Sequence, residues 1–266
     1  MHDFHIHTNL SRCAVGEATL ENYLNVFPVL GLTEVCFTDH LWDRAVPGPS
    51  RWYEPQDVER LLPFRETLER TRSEVALHFG CETELDMHGH VALREENASL
   101  FDFILVPHNH LHMSGFTRPA DLTDSREVAS LLVRRFLQCC DNVPFAFSFA
   151  HPFTPLGYIP QAEEILGLIS DADFERCFSR AAERNASVEF NISILSAAMK
   201  EADAPAVLAH YRRMYRIALG CGCRFHLGSD SHATDRYPLA DYRAVIAFAA
   251  ECGIRLDKSP LPEKNA

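Results

Sequence analysis

Seven short apolar runs of β type, each followed by a longer amphipathic stretch, recur along the 266 residues of this chain. They lie near 3–6, 34–38, 75–81, 101–107, 145–150, 187–191 and 223–228. Helical spacing of apolar residues fills 18–30, 56–73, 124–139, 171–185, 203–219 and 239–252, with a shorter stretch at 90–99. Glu54-Pro55, Thr123-Asp124 and Asp171 through Asp173 stand where helices begin, and Gly31 and Gly253 where they end. Strand–helix alternation without linker, repeat or low-complexity block builds parallel βα units. Seven units predict one closed or nearly closed α/β barrel over 1–256, with a doubly wound open sheet as the alternative. Residues 257–266 read as a polar tail.

The residues that end these runs are the second constraint. His5 and His7 close the first, Thr38-Asp39-His40 the second, and Gly80-Cys81-Glu82 the third. Pro107-His108-Asn109-His110 follows the fourth, His151-Pro152 the fifth, Glu189-Phe190-Asn191 the sixth, and Ser229-Asp230-Ser231-His232 the seventh. In a parallel barrel all C-terminal strand ends share one mouth, where active sites lie. Residues i and i+2 of a strand face the same side, so His5 and His7 point inward together. Imidazoles and carboxylates gathered there suit Zn, Mn or Fe as divalent ions, and a carboxylate can bridge two of them. No GxSxG, HExxH or GxxxxGK[ST] occurs, so metal-assisted hydrolysis is the chemistry these residues point to.

Charge narrows the partners. A formal net charge of −12 disfavours a nucleic-acid footprint, which needs clustered Lys and Arg. It leaves room for a small phosphorylated metabolite, because bound ions set the local field. No apolar run approaches the ~18 residues of a membrane span, and MHDFHIH lacks the basic and apolar regions of a signal peptide. Nine cysteines without a framework spacing read as reduced thiols, and so as a cytoplasmic protein. No oligomeric state is read from the sequence.

In order along the chain, His5-Ile6-His7, Thr38-Asp39-His40, Gly80-Cys81-Glu82, a histidine at 108 or 110, His151-Pro152 and Ser229-Asp230-Ser231-His232 resemble the motif set of the PHP family, named for polymerase and histidinol phosphatase domains. The resemblance implies a distorted (β/α)7 TIM-like barrel in a single domain, binding two or three divalent metal ions. It places His5, His7, Glu82 and Asp230 on a first ion. Glu82 then bridges to a second, completed by His151 and the histidine after the fourth run. His40 and His232 belong to a third, whose remaining ligand in similar phosphatases is often a histidine; here that position is Cys13. Cys13 reads equally as a thiolate ligand or as a small core residue. Among His108, His110 and His112, His110 is preferred because Pro107 can shift the register, with His108 close behind.

The implied activity is hydrolysis of a small phosphate monoester by metal-activated hydroxide, with histidinol phosphate the named candidate and Glu82, Asp230 and His232 catalytic. The ions would leave the site at about +3 to +4 despite the acidic chain. Asn191 is expected to orient substrate or to satisfy backbone groups. Arg118 and Arg236 are candidate phosphate partners or solvent-exposed cations. The loop 44–55, with Arg44, Arg51, Trp52 and Tyr53, is a candidate specificity lid or a plain connection. Glu84, Asp86 and His88 belong to the loop after Glu82 and are open to a supporting role. Two other functions compete. An amidohydrolase or lactonase would place a lysine at a strand end, and none stands there. A non-catalytic metal-binding module would have lost ligands, whereas apart from Cys13 the set is complete.

Overall fold

The computed structural model describes residues 1–201, 204–236, 238–256 and 259–261. Its seven strands are β1 (His2–Ile6), β2 (Glu34–Phe37), β3 (Ala76–Glu82), β4 (Phe103–Val106), β5 (Ser148–Phe149), β6 (Ser187–Asn191) and β7 (Arg224–Gly228). Neighbours pair in parallel and in chain order. The helices between them are α1 (Leu20–Leu30), α2 (Val58–Arg70), α3 (Glu95–Ala98), α4 (Ser125–Asn142), α5 (Ala162–Leu168), α6 (Asp171–Glu183), α7 (Ile192–Lys200), α8 (Ala204–Gly220) and α9 (Leu239–Glu251). The fold is a nearly closed (β/α)7 TIM-like barrel, as the alternation predicts, and not an open doubly wound sheet.

Side-chain oxygens start most of the longer helices. Thr19, Asp57, Asp124 and Ser170 accept the orphan amides of α1, α2, α4 and α6. Gly31 ends α1 at φ 68°, the left-handed position a side chain disfavours. Two helices escape the sequence pattern. α5 is short and preceded by Pro155, Gly157 and Pro160, while α7 begins directly off β6, its N-cap Asn191 being the last residue of the strand. The fifth strand is only two residues long, and just after it the chain turns at His151, which has φ 29°.

Closure occurs where β7 returns to β1, and it is strongest at the mouth. Asp230 N donates to His5 O at 2.7 Å and His7 N to Ser231 O at 2.9 Å. Deeper down, side chains bridge the seam. Asp3 Oδ1 accepts from Ser229 N at 2.9 Å, Asp3 Oδ2 accepts from the Tyr242 hydroxyl at 2.6 Å, and His2 Nε2 accepts from Leu227 N at 3.0 Å. Exposed strand edges carry unpaired amides, and these contacts satisfy them.

The β1–β2 register shifts between Asp3 and Ile6, so Phe4 and His5 both serve the interior although they are consecutive. Phe4 packs with Cys36, Phe103, Leu105 and Ala150 as a plug beneath the mouth. Ile6, Val35, Phe37, Ile104, Val106, Val188 and Leu227 belong to the separate core between sheet and helices. Of the tail expected over 257–266, residues 257, 258 and 262–266 lie outside the described residues. Leu261 packs against the plug, and Ser259 Oγ donates to Glu34 at 2.9 Å. The nine cysteines are free thiols, and among the described residues no helix is long and apolar enough to cross a membrane.

Gly80 lets three strands meet above the plug. A Cβ there would lie 2.5 Å from Phe103 O, 2.7 Å from Cys36 Sγ and 2.9 Å from Thr38 Cγ2. The carbonyl belongs to a paired strand and has nowhere to move. Gly80→Ala is therefore expected to cost about 1–3 kcal/mol of stability, read as a lower denaturant midpoint; an unchanged midpoint would show that the strands separate freely here.

Candidate metal centre

Glu82, at the end of β3, is the hub of the mouth and is almost wholly buried. Its Oε2 lies 3.4 Å from His5 Nε2, 3.5 Å from His7 Nε2 and 3.1 Å from His40 Nδ1. Its Oε1 lies 3.2 Å from His151 Nε2 and 3.5 Å from His110 Nε2. Asp230 Oδ1 stands 3.5 Å from His5 Nε2 and 3.3 Å from His7 Nε2. Three overlapping groups have ligand atoms within 4.8 Å of one another: His5, His7 and Asp230; His5, Glu82 and His151; His7, His40 and His232.

The far side of each ring shows what it presents to this hub. His5 Nδ1 faces the Glu189 carboxylate at 2.8 Å and His110 Nδ1 faces Glu84 at 2.8 Å. A carboxylate only accepts, so both Nδ1 atoms carry hydrogen. Ser11 Oγ spends its own hydrogen on Asp39 at 2.6 Å, so it accepts from His7 Nδ1 at 3.1 Å. Asn109 directs its amide hydrogens to the carbonyls of His151 and Thr154, leaving Oδ1 to accept from His151 Nδ1 at 2.9 Å. With only that one proton on each ring, these four imidazoles turn bare Nε2 lone pairs toward two carboxylates. His5 Nε2 and His7 Nε2 are only 3.1 Å apart, and His40 Nδ1 is buried without a hydrogen-bond partner.

Such an arrangement repels itself unless positive charge sits among the lone pairs. Divalent ions fit this donor set of imidazole and carboxylate, and backing of each Nδ1 by a carboxylate, amide or hydroxyl is how metal-binding histidines are oriented. Without metal, protons answer the same demand. Burial opposes charge on His5 and His110. Even so, Glu189, Asp230 and Glu82 push His5 well above its ordinary value, and Glu84 and Glu82 raise His110. Burial, then His232, lowers His7 to about 4, and burial holds His40 well below the ordinary range. Burial works against charge on Glu82 and Asp230 too, but the surrounding imidazoles, His5 foremost, hold both well below ordinary carboxylates. Strain gathers here as well: His151, Phe153 and Asp230 all have positive φ, at 29°, 57° and 55°.

The structure brings His5, His7, His40, Glu82, His110, His151, Asp230 and His232 together and separates the rest. His108 is turned away: Phe153 N donates to its Nε2 at 2.8 Å and its Nδ1 donates to Leu132 O at 3.2 Å, so neither nitrogen remains for a metal. Cys13 lines the same cavity but joins none of the three ligand groups. Asn191 is buried, capping α7 through Ile194 N and donating to Glu189 at 3.0 Å, so its amide supports the centre from behind. Arg118 spends its guanidinium on the carbonyls of Leu111, Pro119 and Ala120 and lies over Tyr158. Arg236 is exposed and outside the residues that line the cavity. Arg44 pairs with Asp57 and Glu59, while Trp52 and Tyr53 of the same loop line the cavity.

Glu189 is the functional residue the sequence reading passed over. One oxygen holds the His5 ring and the other accepts His151 N at 2.5 Å, so a single carboxylate orients two ligands. A Cβ at residue 228 would overlap Glu189 Oε1, which explains the glycine that ends β7. The available signal was its place beside Asn191 at a strand end.

A family model described as the PHP domain matches residues 3–187. No curated protein matches the chain. Among solved structures, histidinol phosphate phosphatase from Lactococcus lactis, complexed with zinc, L-histidinol and phosphate, superposes with a TM-score of 0.64 at 18% identity, covering 96% of this chain and 94% of that one. At that identity the likeness concerns the fold. A. niger ochratoxinase (TM-score 0.43, 12% identity, 95% of this chain and 66% of that one) and Yersinia pestis dihydropteroate synthase (0.42, 12%, 94% of both) are more distant and bear on nothing further.

Two expectations follow from the ring contacts. Glu189→Gln removes the anion behind His5 and is expected to weaken zinc binding about 10- to 100-fold in chelator competition; an unchanged affinity would show that His5 needs no such support. Because metal must displace the protons that the raised pKa values of His5 and His110 retain, affinity should fall with falling pH, by about tenfold per pH unit for each proton displaced. Calorimetry in buffers of differing ionisation enthalpy reads those protons directly, and a pH-independent affinity across the neutral range would contradict the assignment.

Proposed function

The chain belongs to the PHP domain family, and from that membership we propose that it is a metal-dependent phosphoesterase acting on a small phosphate monoester. The observation that carries this reading is the convergence of Nε2 lone pairs and two carboxylates at Glu82, a donor set suited to divalent cations. We assign His5, His7, Glu82 and Asp230 to one ion, Glu82, His110 and His151 to a second, and His40 and His232, with Cys13 as the remaining candidate, to a third.

Divalent ions held there would neutralise phosphoryl charge and lower the pKa of water, which is the chemistry phosphate ester hydrolysis needs. The protein's own residues do the rest. Glu189, Ser11, Glu84 and Asn109 hold the imidazoles in the tautomers that leave Nε2 free. Burial of the cluster keeps bulk water from screening it. Among the described residues no Lys or Arg lines the cavity, so a phosphate dianion has no other source of positive charge than the cluster. Glu82 reaches both sides of the cluster, and Asp230 and His232 stand at its solvent side with side chains about a fifth exposed, at 19% and 18%, where substrate must enter. Histidinol phosphate is the first ester to assay, since the structurally similar L. lactis enzyme is named for it. The free thiols suit a reducing cytoplasm.

An amidohydrolase-type centre finds no support, because the one described lysine, Lys200, pairs with Asp241 away from the cluster. The test is a metal-content measurement on protein purified without chelator, followed by a phosphomonoester panel. Chelator should abolish hydrolysis, and Glu82→Gln should reduce kcat/KM by about 100-fold or more. Metal-replete protein that is inert on every phosphoester yet opens a lactone or amide would sink the proposal.

A further inference from the structure

The cluster accounts for a phosphate but not for the alcohol that leaves it, and the remaining cavity wall is made of other material. The cavity measures about 500 Å³, and outside the cluster its wall is mostly apolar, with Trp52, Tyr53, Met113, Phe116 and Leu156 beside the polar Ser50, His112 and Ser114 and the thiol of Cys13. Trp52 stands edge-on to His40 with ring centroids 5.0 Å apart, so the aromatic wall begins where the cluster ends. Tyr53 lies 4.8 Å from Trp52 and 5.9 Å from Phe116 between centroids, and Phe116 lies 5.3 Å from Trp42 behind it.

This wall is fixed in place. The Tyr53 hydroxyl donates to Glu84 at 3.2 Å, tying the aromatic wall to the carboxylate that holds His110. Arg12 donates to the carbonyls of Arg51 and Trp52, and Gln56 Nε2 donates to Trp52 O at 3.0 Å. Gly157, at φ 93°, lets the Leu156 turn close on residues 111–112, since a Cβ there would lie 2.8 Å from His112 Cα. A rigid aromatic slot binds planar groups without an ordering cost.

Its charge is equally restrictive. No Lys or Arg lines it among the described residues, and its only carboxylates, Glu82 and Asp230, face the imidazoles. A second anion on the alcohol would lose water here without meeting a cation. Resting on the phosphoesterase reading, we propose that the substrate carries its phosphate as the sole anionic group, on an alcohol bearing an uncharged aromatic ring that packs against Trp52 and Phe116.

The test compares 2-phenylethyl phosphate with propyl phosphate, whose alcohols leave with similar ease, so that only the ring differs. The wild-type kcat/KM ratio should favour the ring by about tenfold or more. Trp52→Ala and, from the other element, Phe116→Ala should each reduce the ratio several-fold, while Trp52→Phe keeps most of it. Calorimetric binding of 2-phenylethylphosphonate against propylphosphonate to the zinc-loaded protein reads the same preference without turnover. A ratio near one in both assays, or one that both alanine variants leave intact, overturns the inference. Preferential binding of the aromatic phosphonate with no ester hydrolysed would overturn the phosphoesterase reading and leave the aromatic subsite standing.

Discussion

Lone pairs and carboxylates that face one another around Glu82 are the constraint on which the rest of this structure depends. No apolar packing stabilises such a centre; positive charge does, whether metal or proton. The fold spends local geometry to build it. His151 and Asp230 adopt left-handed backbone angles that other side chains avoid, and the β1–β7 seam is joined by main-chain hydrogen bonds at the level of His5 and Asp230. Gly228 gives up a side chain so that Glu189 can stand behind His5. Barrel closure and ligand placement are thus one problem, solved by the same residues.

On the proposed function, the cluster is also where an acidic chain would acquire its affinity for an anion. Several of its cations elsewhere are committed. Arg135 is fully buried and satisfied by the carbonyls of His108, Leu85, Asp86 and Thr117, with Glu84 3.6 Å away. Arg118 is bound to its own loop, and Arg12 braces the segment that carries Trp52. The mouth therefore divides into a charged half made by the strand ends and an apolar half made by the loops. On the proposed function, that division would separate the chemistry of the bond from the selection of what is attached to it.

Legibility in the sequence followed physical scale. The strands and long helices were readable because apolar periodicity is a local property, and the residues of the cluster were readable because His5-x-His7 and the strand-terminal polar groups are local too. α5 and α7 were not, since their apolar residues merge with neighbouring Pro-rich and strand segments. His108 and His110 illustrate the limit most clearly. Both follow β4, both are buried histidines, and only the approach of Phe153 N and Leu132 O to one of them decides which is left to face Glu82. Likewise, Asn191 looked like a residue of the mouth, and its amide proved to be occupied by Glu189 and the first turn of α7.

By itself, then, the sequence determined the architecture, the end of the barrel that carries the chemistry and most of the residues that meet there, because strand direction and two-residue alternation are set by neighbours in the chain. Tertiary structure alone decided the tautomers, the supporting carboxylates Glu189 and Glu84, and the aromatic wall of Trp52, Tyr53 and Phe116. Those depend on contacts between residues as far apart as His5 and Glu189, or Tyr53 and Phe116, which no periodicity along the chain encodes.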